Sequence, residues 1–101
     1  MHSPIARVLH LNFKKTKECD FWLLRHEKDA KDLEKSVLQR TVIKIDDKSL
    51  IIVSLFENEV DADKVFKRFV DWTAEQVFFD DGVEKLHMHG TVVYNAIYSK
   101  N

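Results

Sequence analysis

The sequence predicts an α+β domain with the element order β-α-β-β-α-β and a four-stranded antiparallel sheet. Two observations carry this prediction. The spacing of apolar residues changes along the chain from the alternation of strands to the three-and-four spacing of helices, and then back again. The chain also has only 101 residues, with two glycines and one proline, which leaves no room for a linker between domains. We therefore expect residues 1–101 to form one domain.

The first two elements are predicted to be a strand and an amphipathic helix. Residues 5–13 alternate between two faces, as a strand does. Thr16 is a suitable N-cap for the helix that follows, since its hydroxyl can accept a free N–H group of the first turn. One side of this helix is charged, and the other carries an apolar stripe at helical spacing. The stripe comprises Cys19, Trp22, Leu23, His26, Ala30, Leu33 and Val37.

Two further strands are predicted in the middle of the chain. Residues 39–45 alternate in polarity, and residues 50–56 contain almost no polar side chain. Between them, the run Asp46-Asp47-Lys48-Ser49 has the composition of a tight turn. The second and third strands are thus separated by a turn alone.

A second helix and a fourth strand complete the pattern. Asn58 or Asp61 can cap this helix. Its apolar stripe comprises Ala62, Val65, Phe66, Phe69, Thr73, Gln76 and Val77. Residues 78–89 are the least regular stretch, interpreted as an irregular turn containing a short helix, and residues 91–98 are predicted to be the closing strand. This order is the split βαβ, or ferredoxin-like, arrangement.

The third strand predicts that two copies of the chain associate. Both helices of such an arrangement cover the same face of the sheet, so the other face should alternate to polar residues if it met water. The strand is instead apolar in both directions, with Leu50, Ile52 and Phe56 pointing one way and Ile51, Val53 and Leu55 the other. Soluble monomers rarely expose so large an apolar patch. We expect a second sheet to cover it, giving a homodimer whose sheets pair into a dimeric α+β barrel; the chain has no spare loop for this purpose.

Composition argues against several classes of partner. Sixteen basic and seventeen acidic residues are interspersed and give a net charge of −1, unlike the clustered basic surface of a nucleic-acid binder. No apolar run is long enough to cross a membrane, and residues 1–4 lack the features of a secretory signal. The single cysteine, Cys19, cannot form an internal disulfide. We expect a cytoplasmic protein that binds neither nucleic acid nor membrane.

The order of elements, the length and the two-faced sheet resemble the dimeric α+β barrel superfamily. This superfamily includes antibiotic-biosynthesis-monooxygenase-like proteins and haem-degrading monooxygenases. The most similar stretches are residues 50–57, the helical run Phe66-Lys67-Arg68-Phe69-Val70-Asp71-Trp72 and the aromatic residues at the end of the chain. The resemblance implies a small apolar pocket between the helices and the sheet of each chain. For an enzyme, it implies cofactor-independent oxygenation or a related proton transfer.

Four side chains are candidates for a catalytic role. His10 and Asn12 share a strand face and could hold and polarise a carbonyl or enolate, or could lie at a solvated strand end. His26 interrupts an apolar helical stripe, where it is either a base facing a pocket or a satisfied core histidine. For Trp72 the resemblance implies a pocket-shaping role, and the alternative is bulk in the core.

Aromatic residues are the candidates for ligand binding. Seven phenylalanines and two tryptophans in so short a chain are consistent with a pocket for a flat aromatic or a long aliphatic molecule, although each alone could be ordinary core. The candidates are Trp22, Phe66, Phe69, Phe78, Phe79 and Tyr94. Cys19 lies early in the first helix without an evident base partner and is interpreted as a small buried hydrophobe.

His87 and His89 offer a different class of function. In an extended strand both imidazoles would face the same side and could bind one metal, with His10 as a third ligand. Haem is a related alternative, but in the haem-degrading branch the axial histidine follows the helix tryptophan by about three turns, which corresponds here to Gly82. The strand-one asparagine of that branch corresponds to Leu9. These departures count against haem cleavage.

Three hypotheses follow. The first is a dimeric protein that binds a hydrophobic carbonyl or carboxylate compound, fatty-acid-like or polyketide-like, in an apolar pocket and without a cofactor, either as a binding protein or as a monooxygenase. The second is a metal or haem protein that uses His87 and His89. The third is a non-catalytic stress or regulatory dimer whose pocket is only a core.

Overall fold

The computed structural model describes residues 4–33, 35–74, 84–96 and 98. The strands are β1 (Ile5–Asn12), β2 (Gln39–Asp46), β3 (Ser49–Phe56) and β4 (Glu84–Thr91), and the helices are α1 (Thr16–Leu33) and α2 (Glu59–Ala74). The four strands form one antiparallel sheet in the order β2-β3-β1-β4. This βαββαβ topology confirms the predicted α+β, ferredoxin-like fold class.

Both helices begin at a side-chain cap. In α1 the Glu18 carboxylate accepts the backbone N–H of Lys15 at 3.1 Å, which is one half of a capping box. In α2 the side-chain oxygen of Asn58 accepts the backbone N–H of Asp61 at 2.9 Å. Of the two residues predicted to cap α2, Asn58 is therefore the N-cap, and Asp61 lies in the first turn.

The fourth strand does not lie where the sequence predicts it. Residues 84–91 form β4, although residues 84–89 were predicted to belong to an irregular turn. This strand pairs with β1 along its whole length, from Ile5 opposite Thr91 to Asn12 opposite Glu84. Residues 92–96, assigned to the strand, are neither helix nor strand, although the Val92 N–H still donates to the Pro4 carbonyl at 2.8 Å. An edge strand has a partner on one side only and is exposed, so its side chains need no strong apolar alternation.

The sheet has a helix face and an open face. Residues that lie opposite each other in paired strands share a face, so the registers assign Leu9 and Ile52 to the helix face and Val8 and Val53 to the open face. Along β3, the residues on the helix face are buried and apolar residues on the open face are half-buried, which confirms the predicted two-faced strand. The open face of the two central strands consists of Ala6, Val8, His10, Asn12, Ser49, Ile51, Val53 and Leu55.

The core lies between the helices and the helix face. One cluster of buried residues combines both helices with the central strands, and it contains Leu11, Phe13, Cys19, Trp22, Leu33, Leu50, Ile52, Phe69 and Trp72. A smaller cluster joins the end of β3 to the start of α2 through Phe56, Ala62 and Val65. Within the described ranges, neither helix is long and apolar enough to span a bilayer.

Candidate ligand cleft

A cleft lies between α2 and the helix face of the sheet. Its cavity volume is about 40 Å³, room for a few water molecules. The lining residues are Arg7, Leu9, Arg40, Ile52, Ser54, Phe56, Ala62, Val65, Phe66, Phe69 and His87. At the outer wall the exposed rings of Phe66 and His87 stack with their centroids 4.8 Å apart. The cleft therefore combines an aromatic and aliphatic wall with polar groups.

The polar groups of the cleft belong to one row that crosses the sheet. Ser54 on β3 lies opposite Arg7 on β1 and opposite Arg40 on β2, and Arg7 lies opposite His89 on β4. We call Arg40, Ser54, Arg7 and His89 the polar row. The Arg40 Nε donates to the Ser54 hydroxyl at 3.0 Å, and Ser54 is buried. The polar row thus places one arginine on each side of the buried Ser54 hydroxyl.

Arg7 reaches from the polar row to the edge of the cleft. Its Nη2 donates to the Asp63 carboxylate at 2.8 Å. The Arg7 side chain is 17% exposed, whereas the Asp63 side chain is 71% exposed, so the carboxylate lies on the water side of the pair. The Arg7 Nε is buried and has no hydrogen-bond acceptor among the described residues. Arg7 therefore retains a buried donor at the floor of the cleft.

His26 lies behind Arg40, in an aromatic cluster. Its ring stacks on Trp22 at 4.7 Å and meets Trp72 edge-on at 6.2 Å. The His26 Nε2 lies 3.3 Å from the Arg40 Nη1. Because a guanidinium only donates, Nε2 must accept, which assigns the ring proton to Nδ1. Burial, followed by the Arg40 charge, lowers the pKa of His26 to about 4.

Trp72 closes this cluster on the side of α2. It is buried, and its indole N–H donates to the Asp29 carboxylate on α1 at 2.7 Å. Its ring meets Trp22 edge-on at 5.8 Å. Trp22, His26 and Trp72 are all absent from the lining of the cleft. Trp72 and His26 therefore lie behind the cleft, where His26 contacts Arg40 and Trp72 contacts Phe69 of its lining.

The aromatic residues predicted to bind a ligand divide into four groups. Phe66 and Phe69 line the cleft. Trp22 is core. Tyr94 lies beyond β4, is exposed, and its hydroxyl is 3.3 Å from that of Tyr98, so its placement in the cleft is wrong. Phe78 and Phe79 lie outside the described residues.

His10 and Asn12 lie on the open face of the sheet, so neither side chain lines the cleft on the helix face. His10 lies opposite Ile51 on one side and Leu86 on the other. Asn12 accepts a hydrogen bond from the Ser49 hydroxyl next to it. Their shared strand face was identified correctly, but the helices cover the other face.

His87 and His89 share the helix face of β4, with ring centroids 6.3 Å apart. The prediction of His10 as a third metal ligand is wrong, because His10 projects from the opposite face of the sheet. In the part of the chain that the structure describes, no three His, Cys, Asp or Glu side chains group closely enough to hold a metal ion. Gly82, where the axial histidine of a haem-degrading protein would fall, lies outside the described residues.

Arg7 and Arg40 are the cleft residues that the sequence interpretation overlooked. A signal was present for Arg7, which interrupts the apolar alternation of Ile5, Leu9 and Leu11 on one strand face. A cation on the buried face of a strand is unusual and marks a site. Arg40 gave a weaker signal, because its position opposite Ser54 depends on the strand register.

Known structures share this arrangement of elements, although no protein-family model matches the chain and no curated protein is detectably similar in sequence. A dimeric ferredoxin-like protein from an uncultured marine organism superposes with a TM-score of 0.73 at 14% identity, covering 95% of this chain and 100% of the other. The chain therefore shares the fold of this dimeric ferredoxin-like protein. This result confirms the fold that the resemblance implied.

Two further ferredoxin-like neighbours are enzymes. SnoaB from Streptomyces nogalater, a cofactor-independent oxygenase, superposes with a TM-score of 0.66 at 11% identity, over 92% of this chain and 96% of SnoaB. The haem-degrader MhuD from Mycobacterium tuberculosis superposes with a TM-score of 0.67 at 11% identity, over 92% of this chain and 99% of MhuD. At such low identity the likeness shows the fold alone, since one fold hosts many functions.

Proposed function

We propose that the protein is a homodimer that binds a small hydrophobic molecule, bearing a carbonyl or carboxylate group, in the cleft of each chain. One observation carries this proposal: the cleft joins an apolar wall, which includes Val65, Phe66 and Phe69, to hydrogen-bond donors from Arg7 and Arg40. Ligand sites of this kind are mostly apolar and use a few placed polar groups to orient the ligand.

The open face supports the homodimer. It presents Val8, Ile51, Val53 and Leu55 side by side on the two central strands, and neither helix covers it. A second copy of the same face would cover this surface around a twofold axis, the commonest symmetry of oligomers. The dimeric ferredoxin-like neighbour supports the same assembly. Native mass spectrometry should find a species of twice the 11.9 kDa chain mass, and a monomer at micromolar concentration would contradict this.

Thermal unfolding tests the proposed binding. Decanoate, decan-1-ol and 2-tetralone sample acidic, neutral aliphatic and ketone ligands. A ligand that binds only the folded state stabilises it by about 2.7 kcal/mol at a hundredfold excess over Kd, so the midpoint should rise by several degrees with at least one of them. A midpoint that responds to none of the three would contradict binding and favour the non-catalytic regulatory dimer.

We extend the proposal to a reaction, the cofactor-independent oxidation by O2 of a ligand with an acidic CH2 group beside a carbonyl. One oxygen atom replaces the two hydrogen atoms to form C=O, and the other leaves with them as water. SnoaB, which shares the fold, supports this class of chemistry. Within the cleft, guanidinium donors would stabilise an enolate oxygen. Burial, then the charge of Arg7 and that of His89, lower the pKa of His87. The neutral form of this imidazole would accept the proton from the ligand. Of the side chains predicted to be catalytic, His26 and Trp72 would act here only indirectly, by supporting Arg40.

Oxygen uptake tests the reaction separately from binding. With 2-tetralone we expect uptake by the wild-type protein that exceeds the rate without protein. His87→Phe keeps the stacking on Phe66 but removes the base, so uptake should fall by about a hundredfold while binding persists. Equal uptake by the variant would remove His87 from the proposal, and no uptake by either protein would contradict the oxygenase reaction with this ketone.

A further inference from the structure

We propose that the polar row is a carboxylate site, so that the preferred ligand is an amphipathic monocarboxylate whose head group lies over Ser54 between Arg7 and Arg40. This inference rests on the proposed function and narrows it from a hydrophobic carbonyl or carboxylate compound to an acid. The ligand class follows from three features of the row: its geometry, its charge and the residues on either side of it.

The geometry of the row suits a single small anion. Neighbouring strands lie about 4.8 Å apart, so Arg7 and Arg40, one strand to each side of Ser54, begin roughly 10 Å apart at the backbone. Guanidinium groups that lean inward from both sides reach a common point above the serine. The Arg40 Nε already does so, because it donates to the Ser54 hydroxyl. A carboxylate at this point could accept from the buried Arg7 Nε and from Arg40 together.

The charge of the row favours an anion. Two guanidinium groups line the cleft, and among the described residues no Asp or Glu side chain lines it. Asp63 contacts Arg7 from the water side and compensates its charge only at the rim. A buried donor without an acceptor costs about 1–3 kcal/mol, which an acceptor on the ligand would offset. Burial, and after it the charge of Arg40 on His26 and of Arg7 on His87, lowers the pKa of both imidazoles.

The residues beside the row show why the acid should carry an apolar tail. On the helix face, the next residues along β1 and β3 in one direction are Leu9 and Ile52. The next residue along β3 in the other direction is Phe56. Above them is the wall formed by Val65 and Phe66. The cavity is small, so only the head group and the first carbons fit inside it, and the remaining chain would leave past the exposed ring of Phe66. Inorganic phosphate or acetate alone would leave these apolar contacts unused.

Isothermal titration with a matched pair of ligands tests the inference on the wild-type protein. Decanoate and decan-1-ol have the same chain length and differ in charge. We expect decanoate to bind at least about tenfold more tightly, as charge-assisted hydrogen bonds to two arginines require. Equal affinity would overturn the carboxylate site and leave the proposed hydrophobic binding intact. Binding of neither ligand would overturn both.

Variants of the row locate the head group. Arg40→Gln and Arg7→Gln should each lower the affinity for decanoate by about tenfold or more and leave that for decan-1-ol within about threefold. Arg25→Gln is the matched control, since Arg25 is an exposed arginine of α1 that pairs with Asp29. An equal loss for both ligands, or the same loss in Arg25→Gln, would contradict the assignment.

Arg40→Lys and Arg7→Lys replace these variants if the glutamine substitution unfolds the protein. Each lysine keeps the positive charge but lacks the two-pronged hydrogen-bonding geometry of a guanidinium. An unchanged preference for decanoate over decan-1-ol would then contradict the need for a guanidinium.

Discussion

At the scale of the residue, His26 connects the aromatic core to the cleft. Its ring is packed between Trp22 and Trp72, and its Nε2 accepts from the Arg40 guanidinium. This arrangement requires a neutral imidazole, because protonation would remove the acceptor and place two cations in contact. His26 is therefore a positioning residue, and its state should control both stability and the orientation of Arg40.

Stability should depend on pH through His26. Its pKa is about 4 in the folded protein and 6.5 as a model value, so between these pH values the unfolded chain binds more protons than the folded one. The free energy of unfolding therefore rises with pH from about 4 to 6.5, by on the order of 3 kcal/mol, and is fully present above that range. Urea denaturation at a series of pH values measures this slope. In His26→Phe the slope should shrink, and an unchanged slope would contradict the assignment.

The acceptor on His26 can be tested separately from its ring. His26→Phe retains the aromatic packing but leaves the Arg40 donor without this partner, so decanoate binding should weaken several-fold. His26→Gln offers an amide oxygen and should recover part of the affinity. A purely structural role would lower stability in both variants without this difference in Kd, measured by titration at pH 7.5.

Single residues also show what the sequence could and could not predict about the site. The helical spacing of Cys19, Trp22 and His26 correctly predicts that this side of α1 is buried, since period 3.6 assigns one face to the core. The partner of His26 was not predictable, because Arg40 lies in β2 and its position depends on the register of three strands. His10 and Asn12 were assigned to the correct common face, but alternation alone does not say which face the helices cover.

At the scale of the element, the N-cap of α2 gives a local prediction. Asn58 accepts the backbone N–H of Asp61, and its replacement leaves that donor to water. Asn58→Ala should therefore destabilise the protein by about 1 kcal/mol, measured by the urea midpoint at constant slope. Asn95→Ala, in an exposed residue outside the helices and strands, is the control and should change the midpoint little. Equal effects of the two variants would contradict the capping role.

The strands differ in how well their own residues predict where they begin and end. β3 is buried along one face and half-buried along the other, so its continuous apolar run predicts it within a residue. β4 is an exposed edge strand that carries Lys85, His87 and His89 on the helix face, and its own pattern is weak. Residues 91–98 have the stronger strand composition, yet β1 begins at Ile5, which lies opposite Thr91. Beyond this pair the Val92 N–H still donates to the Pro4 carbonyl, but residues 92–96 are not part of a strand. Backbone pairing with β1 therefore decides where β4 lies.

At the scale of the whole molecule, the open face should govern assembly. Val53 lies at the centre of this face, opposite Val8 on one side and Thr41 on the other. Val53→Lys should convert the proposed homodimer into a monomer, because it would bury an unpaired charge in the interface. Leu24→Lys, on the exposed side of α1, is the matched control and should remain dimeric. Light scattering after gel filtration measures both masses, and a dimeric Val53→Lys protein would contradict the proposed interface.

The alternation of β1 and β3 has a consequence for how this protein can diversify. Along either strand, every second residue lies on the helix face, part of which lines the cleft, and the residues between them lie on the open face. The proposed ligand site and the proposed dimer interface therefore use alternate residues of the same two strands. A library that varies only Arg7, Leu9, Ile52 and Ser54 would explore new ligands at a fixed quaternary state. A second library, which varies Val8, His10, Ile51 and Val53 on the open face, would explore new assemblies without changing the residues of the cleft.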